Sequence, residues 1–214
     1  MNLPGPADAK AGYFAAAVLA GGRGKRLGMD KTSLEIDGKS VLGRIVNVLK
    51  YIFPRILVVV QGDNHAVQAV AGDGVRVVND LLPRKGPLGG IYTALEYSTK
   101  PYVFVMACDM PYPSPELIRL LLSRAPGREA VVPRRGRYIE PLFAVYSRDI
   151  RKMVRERLEG GRLKIHEVLE DLDVCYVEEE EIAERDPGFL SFFNINTPED
   201  LERARRLLGP EPDG

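Results

Sequence analysis

Leu19-Ala20-Gly21-Gly22-Arg23-Gly24-Lys25-Arg26-Leu27-Gly28-Met29-Asp30-Lys31 follows directly on an apolar run, residues 14–19. That run shows no polar alternation and reads as a strand of a parallel sheet, buried on both faces. The glycines after it supply backbone that can approach a ligand closely. Arg23, Lys25, Arg26 and Lys31 place four cations in or beside the loop. Exposed N–H groups and positive charge after a strand make an anion site, and the expected anion is the phosphate chain of a nucleoside triphosphate. Without a ligand the same composition is a basic surface loop. The stretch is not a Walker A sequence, because no Gly-Lys-Ser/Thr closes a four-residue gap. Nor is it the dinucleotide fingerprint: Gly28 follows Gly24 after three residues rather than two, and no amphipathic helix opens there.

Outward from this loop, strands and helices alternate. Residues 55–60, 75–78 and 101–108 read as further strands, and the last of these is the most hydrophobic. Helical spacing covers 41–51, 61–71 and 86–97, and Ser114-Pro115-Glu116 opens a helix to about residue 124 with a capping serine and an early proline. This alternation predicts a doubly wound, mostly parallel α/β sheet with helices on both faces. In such sheets ligands bind beyond the carboxyl ends of the strands. Leu19, Ala20, Gly21, Gln61, Asp80 and Asp109 all fall at such ends.

The remainder is less regular. Residues 130–133 and 138–146 read as strands around a basic turn, Arg134-Arg135-Gly136-Arg137. Residues 148–158 and 163–172 read as helices, and 174–177 as a short strand. The acid run Glu178-Glu179-Glu180-Glu181 reads as a solvated surface turn. Thr197-Pro198-Glu199-Asp200 is a helix cap. The expected layout is a disordered leader over 1–12, a single domain over 13–208 and a tail at 209–214. Within the domain, 13–128 forms a nucleotide-binding half and 129–208 an acceptor-side half.

Composition narrows the chemistry. In 214 residues Lys+Arg and Asp+Glu both total 30, so no global basic field points to nucleic acid, and the local cluster suits a small anion instead. Cys108 and Cys175 are the only cysteines and can form neither a disulfide framework nor a four-ligand zinc site. No apolar stretch approaches a membrane span and the first twelve residues lack the apolar core of a signal peptide. The expectation is a cytoplasmic protein that contacts neither membrane nor nucleic acid.

Four segments occur in one order across the chain: Leu19 to Lys31 as quoted, Gly86-Pro87-Leu88-Gly89-Gly90, Cys108-Asp109-Met110-Pro111, and Asn194-Ile195-Asn196-Thr197-Pro198-Glu199-Asp200. Together they resemble the nucleotidyltransferase family, and within it the MobA-type molybdenum cofactor guanylyltransferases. Leu27 stands where that family has methionine. The resemblance implies the family's fold, a Rossmann-like three-layer α/β/α arrangement. It also implies Mg²⁺-dependent transfer of GMP from GTP to a molybdopterin carrying molybdenum or tungsten, with hand-over contacts to molybdenum-insertion proteins or apo-molybdoenzymes.

Roles follow by the same resemblance. Lys31 and Arg26 neutralise phosphate charge, and Asp109 binds the metal with Asn196 as a second contact. Leu19, Ala20, Gly21 and Gly22 contact the nucleotide, as do Gln61, Asp80 and Gly86. Gln61 departs from an asparagine often found in the family. Gly89, Gly90, Glu140, Pro141, Leu142 and Asn194 face the acceptor, with Arg134, Arg135 and Arg137 placed to meet its terminal phosphate, although tight helix–strand packing accounts equally for the two glycines and a plain surface position for the arginines. Two other readings stay open: a sister transferase using CTP on the same pterin or an NTP on another small phosphate, and a non-catalytic nucleotide-binding accessory protein.

Overall fold

The computed structural model describes residues 12–21, 23–24, 29–30, 33–62 and 65–208. β1 (Phe14–Leu19) is buried along its whole length. Two hairpins follow, β2 (Arg23–Gly24) with β3 (Met29–Asp30) and β4 (Glu35–Ile36) with β5 (Lys39–Ser40). The second turns at Asp37-Gly38, both with positive φ (50° and 71°), the mirror-image turn whose twist suits a two-residue loop. Then come α1 (Val41–Lys50), β6 (Ile56–Val60), α2 (His65–Ala71), β7 (Val75–Asn79), α3 (Gly86–Tyr97), β8 (Tyr102–Ala107) and α4 (Pro115–Arg124). Ser40 and Ser114 cap α1 and α4, their hydroxyls accepting from Gly43 N–H at 3.3 Å and Leu117 N–H at 3.2 Å. The chain continues through β9 (Ala130–Arg135), β10 (Tyr138–Ile139), β11 (Phe143–Ser147), α5 (Arg151–Glu159), α6 (Ile165–Leu169), β12 (Val174–Val177), α7 (Glu179–Ala183) and α8 (Pro198–Leu208).

The main sheet runs β10-β9-β11-β8-β1-β6-β7, with β12 added beside β9. β1 is parallel to both its neighbours, pairing Val18 with Met106 and with Val58. The chain builds outward from β1 to β6 and β7, then returns to β8 on the other side of β1. This reversal leaves a crevice at the carboxyl ends of β1 and β8, the switch point where open α/β sheets bind ligands. Phe14, Ala16 and Val18 face the core under α1 and α4, whereas Ala17 and Leu19 face the core under α3 and α5. Three consecutive alanines, 15–17, keep the central strand thin, so both helical layers pack against it.

The second half joins the same sheet through β11, antiparallel to β8. The expected continuous strand over 138–146 is interrupted. Ile139 pairs with Arg134 but Val145 pairs with Val131, a slip of three residues along the hairpin. Pro141 has no N–H to give the ladder. Around it Glu140 N–H donates to Pro133 O at 3.0 Å and Leu142 O accepts from Ala107 N–H at 3.0 Å. The bulge thus delivers Leu142 to the end of β8. The predicted helix over 163–172 is confined to α6, and 148–150 form a 3₁₀ turn before α5.

The four glutamates lie at the surface, but as the start of a helix rather than a turn. Glu179, Glu180 and Glu181 form the first turn of α7, where acids suit the helix dipole. Arginines meet the run from across the fold: Arg134 donates to Glu178, Arg135 lies 4.0 Å from Glu179, and Arg124 lies 2.6 Å from Glu181. The leader expected over 1–12 lies outside the described residues except for Gly12, as does the tail at 209–214.

A strap between α7 and α8 returns the chain to β8. Buried Asp186 accepts from Leu190 N–H at 3.1 Å and Ser191 N–H at 2.8 Å, and Ser191 Oγ accepts from Ser114 N–H at 2.9 Å. Ile195 N–H then donates to Asp109 O at 2.9 Å, setting Asn194 beside the end of β8. Asp186→Ala strands two donors and is expected to cost roughly 2–4 kcal/mol in urea unfolding. A loss under about 0.5 kcal/mol, the scatter of ordinary surface substitutions, would contradict this view of the strap.

Candidate functional site

An open cleft with an inner volume of about 150 Å³ lies at the switch point, where open α/β sheets bind their ligands. Leu19 and Gly21 at the end of β1, Val59 of β6 and Gln61 just after it, Asp80 after β7, and Ala107 of β8 and Asp109 just after it line it. Gly86, Pro87 and Gly90 from the start of α3 and Leu142 and Asn194 from the second half complete the wall. Four parallel strands therefore each end in a residue that reaches one cleft.

At one end Asp80 is held from several sides. Its own N–H donates to Val60 O at 2.8 Å, which fixes the backbone. Its Oδ1 accepts from Leu82 N–H at 3.0 Å and lies 2.8 Å from Thr93 Oγ1. Its Oδ2 accepts from Gln61 Nε2 at 3.2 Å. Since a carboxylate only accepts, this contact fixes which way the Gln61 amide is turned and leaves Gln61 Oε1 as a second acceptor. Gly21 makes room for that side chain, because a Cβ there would sit 3.1 Å from Gln61 Cγ.

At the other end Asp109 is 4 % exposed, a depth at which a carboxylate needs a compensating partner. Magnesium commonly takes only one or two carboxylates and completes its shell with phosphate oxygens and water. Asp109 beside Asn194 fits such a sparse donor set. Among the described residues no three His, Cys, Asp or Glu side chains form an all-protein metal cage.

Several expected site residues do not line the cleft. Ala20 is buried, its N–H donating to Val59 O at 2.8 Å. Asn196 is exposed, and its N–H donates to Asp200 Oδ2 at 3.0 Å in the cap of α8. That bond and those from Thr197 hold the Asp200 carboxyl below the usual carboxylate range. Arg137 lies over its neighbour's ring, Tyr138, at 5.1 Å. Glu140 and Pro141 sit in the bulge behind Leu142; burial pushes the Glu140 carboxyl up, with Arg135 partly offsetting it. Arg134 and Arg135 face Glu178 and Glu179 and stack over Tyr176 and Phe189, so they are not bare cations. Gly22, Arg26 and Lys31 lie outside the described residues.

The glycines of α3 divide. Gly86, with φ +66°, lines the cleft. A Cβ on Gly89 would meet Leu82 O at 2.9 Å, so close packing requires that glycine, whereas one on Gly90, which also lines the cleft, would press on the Leu19 methyls at 3.2 Å. Sequence reading passed over Thr93, whereas Leu142, expected on the acceptor side, does line the cleft. Thr93 carried a signal, as a threonine on the buried stretch 88–95 of the helix Gly86–Tyr97 whose other residues there are glycine, apolar or aromatic.

Comparison with known proteins identifies the family. The family profile described as MobA-like NTP transferase domain matches residues 16–175. The chain belongs to that family and is a nucleotidyltransferase. It is 36% identical over 188 residues to a protein of Pelotomaculum thermopropionicum named "probable molybdenum cofactor guanylyltransferase", covering 88% of this chain and 90% of that one. It is 34% identical to the molybdenum cofactor guanylyltransferase of Syntrophotalea carbinolica, covering 91% of each. The crystal structure of molybdopterin-guanine dinucleotide biosynthesis protein A from Archaeoglobus fulgidus superposes with a TM-score of 0.79 at 31% identity, over 91% of this chain and 98% of that one. Among the described residues no helix is long and apolar enough to cross a membrane.

Because Leu82 O is backbone of the loop carrying Asp80, Gly89→Ala must push that loop aside. The expected cost is roughly 1–3 kcal/mol in stability, together with weakened nucleotide binding by calorimetry. Unchanged melting and unchanged affinity would show that the loop yields freely.

Proposed function

We propose that this enzyme transfers GMP from GTP to a molybdopterin carrying molybdenum or tungsten, forming the guanine dinucleotide cofactor and releasing pyrophosphate. The observation that carries the reading is one cleft with the Gln61–Asp80 acceptor pair at one end and Asp109 at the other. Guanine presents two adjacent donors, N1–H and the 2-amino group, to which neighbouring acceptors can bind. Cytosine offers its 4-amino donor next to an acceptor nitrogen, which would face an acceptor. The names of the relatives support the same choice.

In the reaction a terminal phosphate oxygen of the acceptor forms a bond to the α-phosphorus of GTP while the bond to the β-phosphate oxygen breaks. No side chain becomes covalently bound, so catalysis rests on alignment and on cations facing the developing charge. Leu19, Gly21 and Gly86 hold the nucleotide, the backbone of Ala20 and Gly22 continues that loop, and the roles of Lys31 and Arg26 are to neutralise phosphate charge. Asp109 and Asn194 would hold Mg²⁺, which when bound would supply charge neutralisation; Asn196, in the α8 cap, would stand behind them. Residues 13–128 serve as the nucleotide half. From 129–208, Leu142 and Asn194 face the acceptor directly. Arg137, Glu140 and Pro141 border its path, with Gly89 and Gly90 shaping the near wall. Molybdenum-insertion proteins or apo-molybdoenzymes are the partners to which such a labile product would pass.

Lys31→Ala and Asp109→Ala are expected to lower pyrophosphate release from GTP and metal-loaded molybdopterin about 10²–10³-fold, with near-native circular dichroism. Full activity in either variant would remove the mechanism. Release driven by CTP but not GTP would move the enzyme to the sister chemistry.

A further inference from the structure

Thr93 takes no part in the cleft wall, yet it is fully buried and sits behind Asp80. Its Oγ1 accepts from Leu81 N–H at 3.0 Å and lies 2.8 Å from Asp80 Oδ1 and 2.9 Å from Gly89 O. The hydroxyl has one proton for these two acceptors. The carboxylate is charged and nearer, whereas Gly89 O also lies where the helical N–H of Thr93 points. The proton therefore goes to Asp80, as a charge-assisted bond. With Leu82 N–H also on Oδ1, that oxygen is saturated from behind, and the carboxylate plane cannot rotate without breaking two bonds. Only Oδ2, already turned toward Gln61, is left to meet a ligand.

We infer that Thr93 is the positioning residue for purine discrimination: it locks the Asp80 carboxylate, and through it the Gln61 amide, in the orientation that reads a two-donor base edge. This rests on the guanine reading above. α3 thereby couples two tasks, since its Gly86 end lines the cleft while its second turn sets the base reader one layer back.

The test compares GTP with ITP, which lacks only the 2-amino group, in steady-state pyrophosphate release. Wild type is expected to favour GTP at least 10-fold in kcat/KM. Thr93→Val, which keeps the volume and loses the hydroxyl, is expected to raise KM for GTP 10- to 50-fold with kcat changed less than threefold. Its GTP/ITP ratio should fall to within about threefold of unity, and Thr93→Ser should restore it. Should Thr93→Val not fold, Thr93→Ala gives the same readout. A wild type indifferent to ITP would overturn the guanine reading itself. Wild-type discrimination retained in folded Thr93→Val or Thr93→Ala would overturn the role of Thr93 alone. A merely structural role would lower the melting temperature and leave the ratio untouched.

Discussion

β1 is buried on both faces and hydrogen-bonded along both edges, and this single constraint organises the molecule. Its last bonds to the sheet are the Leu19 carbonyl, accepting from Cys108 N–H at 3.2 Å, and the Ala20 N–H, donating to Val59 O at 2.8 Å. At Gly21 the chain leaves the sheet, at the one place where neighbouring crossovers depart in opposite directions. A crevice there follows from topology, because no crossover covers it. The small side chains of 15–17 let helices close on both faces, and the glycines at 21 and 90 bring Gln61 and Leu19 against backbone without a Cβ between.

Two carboxylates border that crevice and the fold treats them differently. Asp80 follows β7 on a loop and is held by protein donors on both oxygens, so it keeps one orientation and suits reading a shape. Asp109 ends β8 almost out of solvent, with its carbonyl tied to the strap at Ile195. A charge so placed suits a cation shared with a phosphate chain. The second half contributes through a flaw in its own ladder: the proline bulge in the β10–β11 segment carries Leu142 to the cleft, and the strap held by Asp186 carries Asn194.

Much of the fold was legible. Apolar runs at 14–19, 55–60 and 101–108 left no polar face to expose, which forces central strands covered on both sides. The caps at Ser114 and Thr197 and the glycine start of α3 marked helix origins by local chemistry alone. What escaped depended on partners far along the chain. The effect of Pro141 is fixed by its pairing with β9, and α7 is secured by arginines 44 to 57 residues away in sequence. Of the expected site residues, Leu19, Gly21, Gln61, Asp80, Gly86, Gly90, Asp109 and Asn194 meet in the cleft. Strand ends are recognisable, and a parallel sheet gathers them. Charge counts alone could not show that Glu178 and Glu179, at the start of α7, face Arg134 and Arg135 of the basic turn.

One cleft thus has a base-reading end at Asp80 and a phosphate end at Asp109 under the proposed function. The most direct measurement is the melting temperature in GTP, CTP, ATP and UTP with Mg²⁺, for wild type and Asp80→Ala, because a ligand that binds the native state raises stability with concentration over Kd. GTP should give the largest shift in wild type, and Asp80→Ala should retain a small shift that is equal for all four nucleotides. A larger shift with CTP, or a GTP preference undiminished in Asp80→Ala, would contradict it.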